Sequence, residues 1–326
     1  MNFQKPRRLE SDLVLVLITV VWGVTFSVTK QALAVMPPLL FLAIRFLLAF
    51  ALLMAVFYRR VLALGKDLLK KGVLVGVVLF AGFATQTMGI RYTTASKAAF
   101  ITGLSVILVP FLSVAFLRKK PSGWTLAGSL LAFAGMAALS VDPAASYLPS
   151  FGDILVFLCA IAFALHIILT GRYAPSVDPV GFTTVQVGVA GLACGVLGLW
   201  SEPVPQSIPP PVWGGLAFLA VFATLGTTLA QTWAQRHTTP THTAIIFTLE
   251  PVFAAIFAYF ILGEVQNLRT LIGGALIILG ILVAELLDRR EETPQAAAAA
   301  HGARVGRELV HSTGCRGTAE PREGRE

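Results

Sequence analysis

The stretch Gln86-Thr-Met-Gly-Ile-Arg91-Tyr-Thr93-Thr94 is answered 145 positions later by Gln231-Thr-Trp-Ala-Gln-Arg236-His-Thr238-Thr239. Carried further, residues 86–135 lie on residues 231–280 without a gap, and fourteen of the fifty positions are identical. The matches include Ala99/Ala244, Thr125-Leu126/Thr270-Leu271, Gly128/Gly273 and Gly135/Gly280. Leucine pairs arise readily in an apolar chain, whereas Gln, Arg, Thr-Thr and Gly pairs at one offset do not. Upstream the offset is 141: Asp12 falls on Asp153, Pro38 on Pro179, Phe41 on Phe182 and Arg45 on Gln186. One unit is present twice.

Composition places that unit in a bilayer. With 56% hydrophobic residues, 13% charged residues and a mean hydropathy of +0.78, the 326 residues hold too few polar side chains to cover a soluble globule. A helix crosses the hydrocarbon core with about 20 apolar residues. Ten such segments are expected, at 12–30, 38–57, 71–90, 95–117, 124–141, 153–170, 179–200, 213–235, 241–262 and 268–287. Breakers mark the short links, as in Met36-Pro37-Pro38, Lys120-Pro121-Ser122-Gly123 and Pro203 to Pro211. Duplicated membrane units are a recurrent plan among transport proteins.

The formal charge of +8 raises nucleic acid as a partner, and the positions of the charges exclude it. Fifteen Lys and Arg residues fall on one side of the ten-helix reading, against Lys30, Arg91, Lys97 and Arg269 on the other. The positive-inside rule then puts both termini in the cytoplasm, with anionic-lipid contact as a by-product. No nucleic-acid motif accompanies the charge. Five helices per repeat is an odd number, so the second copy enters the membrane from the opposite side. The expected fold is an all-α integral membrane protein of ten helices in two inverted five-helix repeats. Residues 1–11 form a cytoplasmic N-terminus, 12–141 and 153–287 the repeats, and 288–326 a disordered cytoplasmic tail.

Polar residues inside the spans are the candidate site, because a charge facing lipid costs roughly 2.5 to 3.5 kcal/mol on insertion scales. Glu250 lies near the middle of the ninth segment and is followed by Pro251, which removes a backbone donor and bends a helix. It either binds a cationic group or a proton, or is a structural carboxylate pinned to a neighbour. Arg45 is assigned to snorkelling or a helix-helix hydrogen bond ahead of an anion-binding role. His166 is a proton shuttle or, as lone buried histidines usually are, a neutral ring bonded to a neighbour. Gln86 and Gln231, at equivalent places beside Thr87 and Thr232, read equally as cavity walls or as interhelical clasps. Trp22 and Trp233 sit within spans and either line a cavity or pack, while Trp124, Trp200 and Trp213 fall at span ends, where indole prefers the interface. Gly72-x-x-x-Gly76 and Gly191-x-x-x-Gly195 permit close helix approach.

No catalytic constellation accompanies these residues. The sequence has no His-Glu-x-x-His, Gly-x-Ser-x-Gly or phosphate-binding loop, so an enzyme, an ATPase and a cofactor are not expected. Cys159, Cys194 and Cys315 are scattered without disulfide or metal spacing. Residues 1–11 lack a cleavable signal, and the first apolar run is read as the first membrane helix.

Several runs resemble the EamA family of the drug/metabolite transporter superfamily. They are Tyr92-Thr-Thr-Ala-Ser-Lys-Ala-Ala-Phe-Ile, Thr248-Leu-Glu250-Pro251-Val-Phe-Ala-Ala with Leu262-Gly263-Glu264, Gly273-Gly-Ala-Leu-Ile-Ile-Leu-Gly280, Trp22-Gly23 and Phe41-Leu-Ala-Ile-Arg45-Phe46. The resemblance covers residues 12–288. It implies a ten-helix bundle with a central cavity working by alternating access. It further implies secondary-active export of amino acids, small metabolites or drug-like compounds across the bacterial cytoplasmic membrane, often on a proton gradient, by a monomer or homodimer. One departure stands inside the chain, where Ser105 and Val106 occupy the places of Glu250 and Pro251. The competing expectation is a non-transporting membrane scaffold or sensor, with the mid-depth polar groups fully paired.

Overall fold

The computed structural model describes residues 5–93, 95–117, 121–140, 150–262, 268–284 and 287, and every α-, 3-10 or π-type element among them is helical. In chain order the α-helices are α1 (Lys5–Leu33), α2 (Pro38–Leu62), α3 (Lys66–Ile90), α4 (Ala95–Gly103), α5 (Ser105–Leu117), α6 (Gly123–Ser140), α7 (Phe151–Tyr173), α8 (Pro179–Ser201), α9 (Pro210–Ala220), α10 (Thr227–Ala234), α11 (Pro240–Phe247), α12 (Glu250–Leu262) and α13 (Leu268–Ala284). Among the described residues, six helical runs are long and apolar enough to cross a membrane, and three shorter apolar helices accompany them. The tail expected from residue 288 onward lies outside the described residues.

Local chemistry sets the helix starts. Ser150 accepts from the Asp153 backbone N–H while the Asp153 carboxylate accepts from that of Ser150, a reciprocal cap that opens α7. Asp178 and Thr239 cap α8 and α11, each followed by a proline whose missing N–H is not needed in a first turn. The start of α2 has no cap of its own. Glu202, at the end of α8, supplies it, accepting from the Leu39 N–H at 3.0 Å and the Leu40 N–H at 2.9 Å. The carboxylate satisfies two orphan donors at the positive end of the α2 dipole. Glu202→Ala is expected to lower stability by about 1 to 2 kcal/mol, read as a lower melting midpoint in detergent. A midpoint equal to wild type would show that the cap contributes nothing.

Helices meet where side chains are small. α2 lies along α8, α3 against α7 and α8, and α1 against α10 and α12. Gly188 abuts Phe50, Gly191 abuts Leu47 and Gly198 abuts Leu40, so α2 and α8 run antiparallel. In α3, Gly72 and Gly76 face Val185 and the Gln186 backbone, so both glycines of that sequence pair are used, whereas Gly195 of the second pair has only loose contacts. α6 and α13 come closest of all. A Cβ on Gly128 would meet the Gly280 carbonyl oxygen at 2.5 Å, and one on Gly135 would meet that of Gly273 at 2.5 Å. Those pairings also run in opposite senses, making α6 and α13 antiparallel.

Two expected spans are each divided. The fourth segment breaks at Leu104, between α4 and α5, and the ninth at Thr248-Leu249, between α11 and α12. Leu104 and Leu249 are 145 positions apart, the repeat offset. Around both breaks the backbone tightens: the Leu104 N–H donates to the Ile101 carbonyl, and the Thr248 and Leu249 N–H groups to those of Ile245 and Ile246. The sequence reading placed a bend at Pro251 within a continuous helix. Pro251 instead stands in the first turn of α12, where its ring obstructs nothing, and the chain turns just before it.

The eighth segment is interrupted in another way. Between α9 and α10, Val221–Gly226 winds as a π-helical turn. The Thr227 N–H reaches back to the Phe222 and Thr224 carbonyls and passes over that of Ala223, its ordinary α-helical acceptor.

Candidate functional site

Glu250 opens α12 at the second break, half-buried, and among the described residues it makes no hydrogen bond or ion pair. An unpartnered, half-buried carboxylate at a helix break inside a membrane span is the feature that marks the site. The pinned-carboxylate reading has no partner residue to support it.

Three polar side chains from three other helices form a linked row, and its last member, Cys159, lies within electrostatic reach of that carboxylate. Gln86 of α3 donates through Nε2 to the Thr102 hydroxyl of α4 at 3.2 Å. Thr102 in turn faces the thiol of Cys159, which is buried in α7 and feels the charge of Glu250. α3, α4 and α7 thus bring an amide, a hydroxyl and a thiol together, and the charge of Glu250 on α12 reaches the thiol. Such a set binds a polar or cationic group by hydrogen bonds and charge, and its members come from segments on both sides of the chain's midpoint. Among the described residues, no cluster of three or more His, Cys, Asp or Glu side chains suits a metal ion.

Aromatic rings pack at the end of α11 and along α3. The Trp22 indole N–H donates to the Thr227 hydroxyl at 3.2 Å, and its ring meets Phe247 edge-on at 4.8 Å, three residues before Glu250. Phe83 lies edge-on to Phe163 at 5.2 Å and to Phe46 at 5.1 Å. Trp233 is engaged elsewhere, tilted against His237. Beyond the span, burial, with Arg7 and Arg236 nearby, holds the His237 imidazole below its ordinary titration range.

The other polar residues singled out in the sequence have protein partners. His166 Nε2 bonds Gln186 Oε1 at 2.9 Å, the neighbour-bonded alternative foreseen for a buried histidine. Gln231 donates to Gln235, whose amide donates to the Ile167 carbonyl of α7, so Gln231 belongs to a clasp. The two equivalent glutamines have therefore parted: Gln86 bonds Thr102 on the next helix, whereas Gln231 bonds Gln235 four residues on. Arg45, only 4% exposed, donates from Nε to the Thr224 hydroxyl at 2.6 Å and from its NH2 nitrogen to the Ala223 carbonyl at 3.0 Å. Its guanidinium also lies 5.1 Å from the centre of the Phe83 ring. That is a helix-helix tie and not snorkelling.

Sequence reasoning missed Thr102, Cys159, Thr227 and Phe247. Cys159 had been weighed only for disulfide and metal spacing. Thr102 carried a usable signal, since it is a polar residue within the fourth expected span, just before the first break.

A membrane-spanning helical protein with broken spans and a mid-span carboxylate is a class that includes carriers of small solutes. The chain belongs to the EamA-like transporter family, whose sequence model matches it twice, at residues 9–141 and 150–286. It is a multi-pass membrane protein. An uncharacterized transporter of Archaeoglobus fulgidus is 32% identical over 280 residues, covering 86% of this chain and 87% of its own. The uncharacterized transporter YyaM of Bacillus subtilis is 28% identical over 273 residues, covering 80% and 89%. A crystal structure of a protein at 18% identity, covering 87% of this chain and 99% of its own, superposes with a TM-score of 0.75 and bears on the fold alone.

Proposed function

We propose that this chain is a secondary-active transporter of the bacterial cytoplasmic membrane, exporting a small metabolite, amino acid or drug-like solute by alternating access, with a proton as the candidate coupling ion. In this reading ten spans form two inverted five-span repeats, 12–141 and 153–287, and both termini are cytoplasmic. The packing supports the inversion. Under the repeat offsets, the contact Gly128 to Gly280 exchanges with Gly273 to Gly135, and Gly188 to Phe50 exchanges with Leu47 to Gly191. Both pairs are antiparallel, as a two-fold axis in the membrane plane requires. Gly82 against Phe163 likewise answers Thr227 against Trp22.

The observation that carries the proposal is the pair of breaks at Leu104 and Leu249, with an unpartnered Glu250 at the second. Interrupted spans at matching points of two repeats are the sequence-independent mark of a carrier site, because irregular backbone at that depth needs protein or water beside it. Glu250 takes the proton or the cationic group, Gln86, Thr102 and Cys159 orient the solute, and Trp22 with Phe247 closes the aromatic side. A solute panel in proteoliposomes under an imposed pH gradient tests this. Accumulation of one class that collapses with a protonophore is the expected result. A folded protein that moves none of the panel in either direction contradicts it.

A further inference from the structure

The π turn between α9 and α10 is an irregularity with a visible cause. By passing over Ala223, the Thr227 N–H leaves that carbonyl without its ordinary α-helical donor. A carbonyl freed inside a membrane needs another partner. Ala223 has two: the Arg45 NH2 nitrogen at 3.0 Å and the Thr227 hydroxyl at 2.9 Å. The same Thr227 hydroxyl accepts the Trp22 indole N–H, and Arg45 Nε holds Thr224 in the middle of the turn. A continuous chain of bonds therefore runs from Arg45 on α2, through the π turn, to Trp22 on α1 and the edge of Phe247 at the ninth-segment break.

The other repeat provides the internal control. At the repeat offsets Gln186 stands for Arg45, Val78 for Ala223, Leu79 for Thr224, Gly82 for Thr227 and Phe163 for Trp22. α3 there is an uninterrupted α-helix from Lys66 to Ile90. Gln186 spends its carbonyl on His166, and Gly82 merely touches the Phe163 ring. Where the arginine is missing, so are the π turn and the polar link to the aromatic ring. We infer that Arg45 is a positioning residue: it holds the Val221–Gly226 π turn and through it fixes the orientation of Trp22 against the helix break beside Glu250.

That the ring so fixed serves transport rests on the carrier reading, whereas the linkage itself does not. The test is spectroscopic and needs no substrate. In a protein whose only tryptophan is Trp22, with the other four replaced by phenylalanine and held in lipid nanodiscs, the emission maximum and indole N–H exchange rate are compared across Arg45→Gln, Arg45→Lys, Thr224→Val and Thr227→Val. Thr227→Val removes the indole acceptor directly and sets the size of the signal, a shift of the emission maximum and an N–H exchange rate raised about tenfold or more. Arg45→Gln, which copies the other repeat, is expected to reproduce both. Thr224→Val keeps the arginine and removes one of its two acceptors, and it is expected to fall between wild type and Thr227→Val, as is Arg45→Lys. Trp22 signals that stay at wild-type values in folded Arg45→Gln or Thr224→Val protein, or in Thr227→Val, overturn the inference. Absence of solute flux in the same preparations would count against the carrier reading and leave these spectra meaningful.

Discussion

Glu250→Gln abolishes coupled transport, a loss of at least a hundredfold in proton-driven flux, while the protein keeps its wild-type melting midpoint. The two halves of this expectation follow from one observation, the lack of any hydrogen-bond or ion-pair partner for the carboxylate among the described residues. A carboxylate engaged in holding helices together leaves an orphaned partner when neutralised, at a cost of several kcal/mol. An unpartnered one leaves none, and glutamine has nearly its volume. If Glu250 carries the proton, the amide also decouples: solute exchange down its own gradient persists while uphill movement stops. If it binds the cationic group of the solute, exchange is lost as well, since a buried site that loses its counter-charge forfeits about 2 to 5 kcal/mol, or thirtyfold and more in affinity. Solute counterflow, measured beside proton-driven uptake in the same vesicles, separates the two cases. Full activity in the glutamine variant would remove Glu250 from the mechanism.

The second large effect concerns the crossing of α6 and α13. Gly128 and Gly280 each present a bare Cα to the other's carbonyl, with built Cβ atoms 2.5 Å and 2.6 Å from those oxygens. Real Cβ atoms do not approach a backbone oxygen so closely, and neither helix backbone can swing aside as a flexible side chain does. Gly128→Val and Gly280→Val are each expected to cost roughly 3 kcal/mol or more, at and beyond the upper end of core overpacking. Because both act on one crossing, the double variant should be little worse than either single one, a failure of additivity. Gly214→Val is the control, since nothing lies within 4 Å of a Cβ there. Midpoints of denaturation in mixed micelles give the comparison. A Gly128→Val protein as stable as Gly214→Val would mean that the two helices do not touch at this point.

The architecture was readable in the sequence to the extent that it rests on repetition and hydropathy. The paired Gln, Arg, Thr-Thr and Gly positions exposed the duplication, and the pairs Gly128/Gly273 and Gly135/Gly280 turned out to be the four glycines of one helix crossing. Interruptions of the helices were not readable. Leu104 and Leu249 are ordinary helix formers, and a single glycine such as Gly103 is common inside a membrane helix and marks no break by itself. Pro251 signalled irregularity but at the wrong place, because a proline that bends a continuous helix and one that begins a new helix look alike in sequence. The π turn left no trace in hydropathy, which does not register which carbonyl a backbone N–H selects. Of the residues now proposed for the site, Glu250 and Gln86 stood out in the sequence by polarity at depth and Trp22 by its ring within a span, whereas Thr102 and Cys159 did not. Helices that are apolar all round do not disclose which face looks inward, so which of several Thr and Cys side chains face one another emerges only from packing. His166 and Gln231 show the converse, because a polar group at mid-span that finds a protein partner has discharged its requirement.

The most direct test of the central claim, that two five-span copies face opposite ways across the membrane, is the sidedness of one pair of equivalent residues. Tyr92 and His237 lie 145 positions apart at matching points of the two copies. With Cys159, Cys194 and Cys315 replaced by serine, single cysteines at Tyr92 and at His237 are labelled with a membrane-impermeant maleimide in intact cells and in inside-out vesicles. The account predicts labelling of Tyr92→Cys from the outside alone and of His237→Cys from the cytoplasmic side alone. Labelling of both from the same side would contradict it.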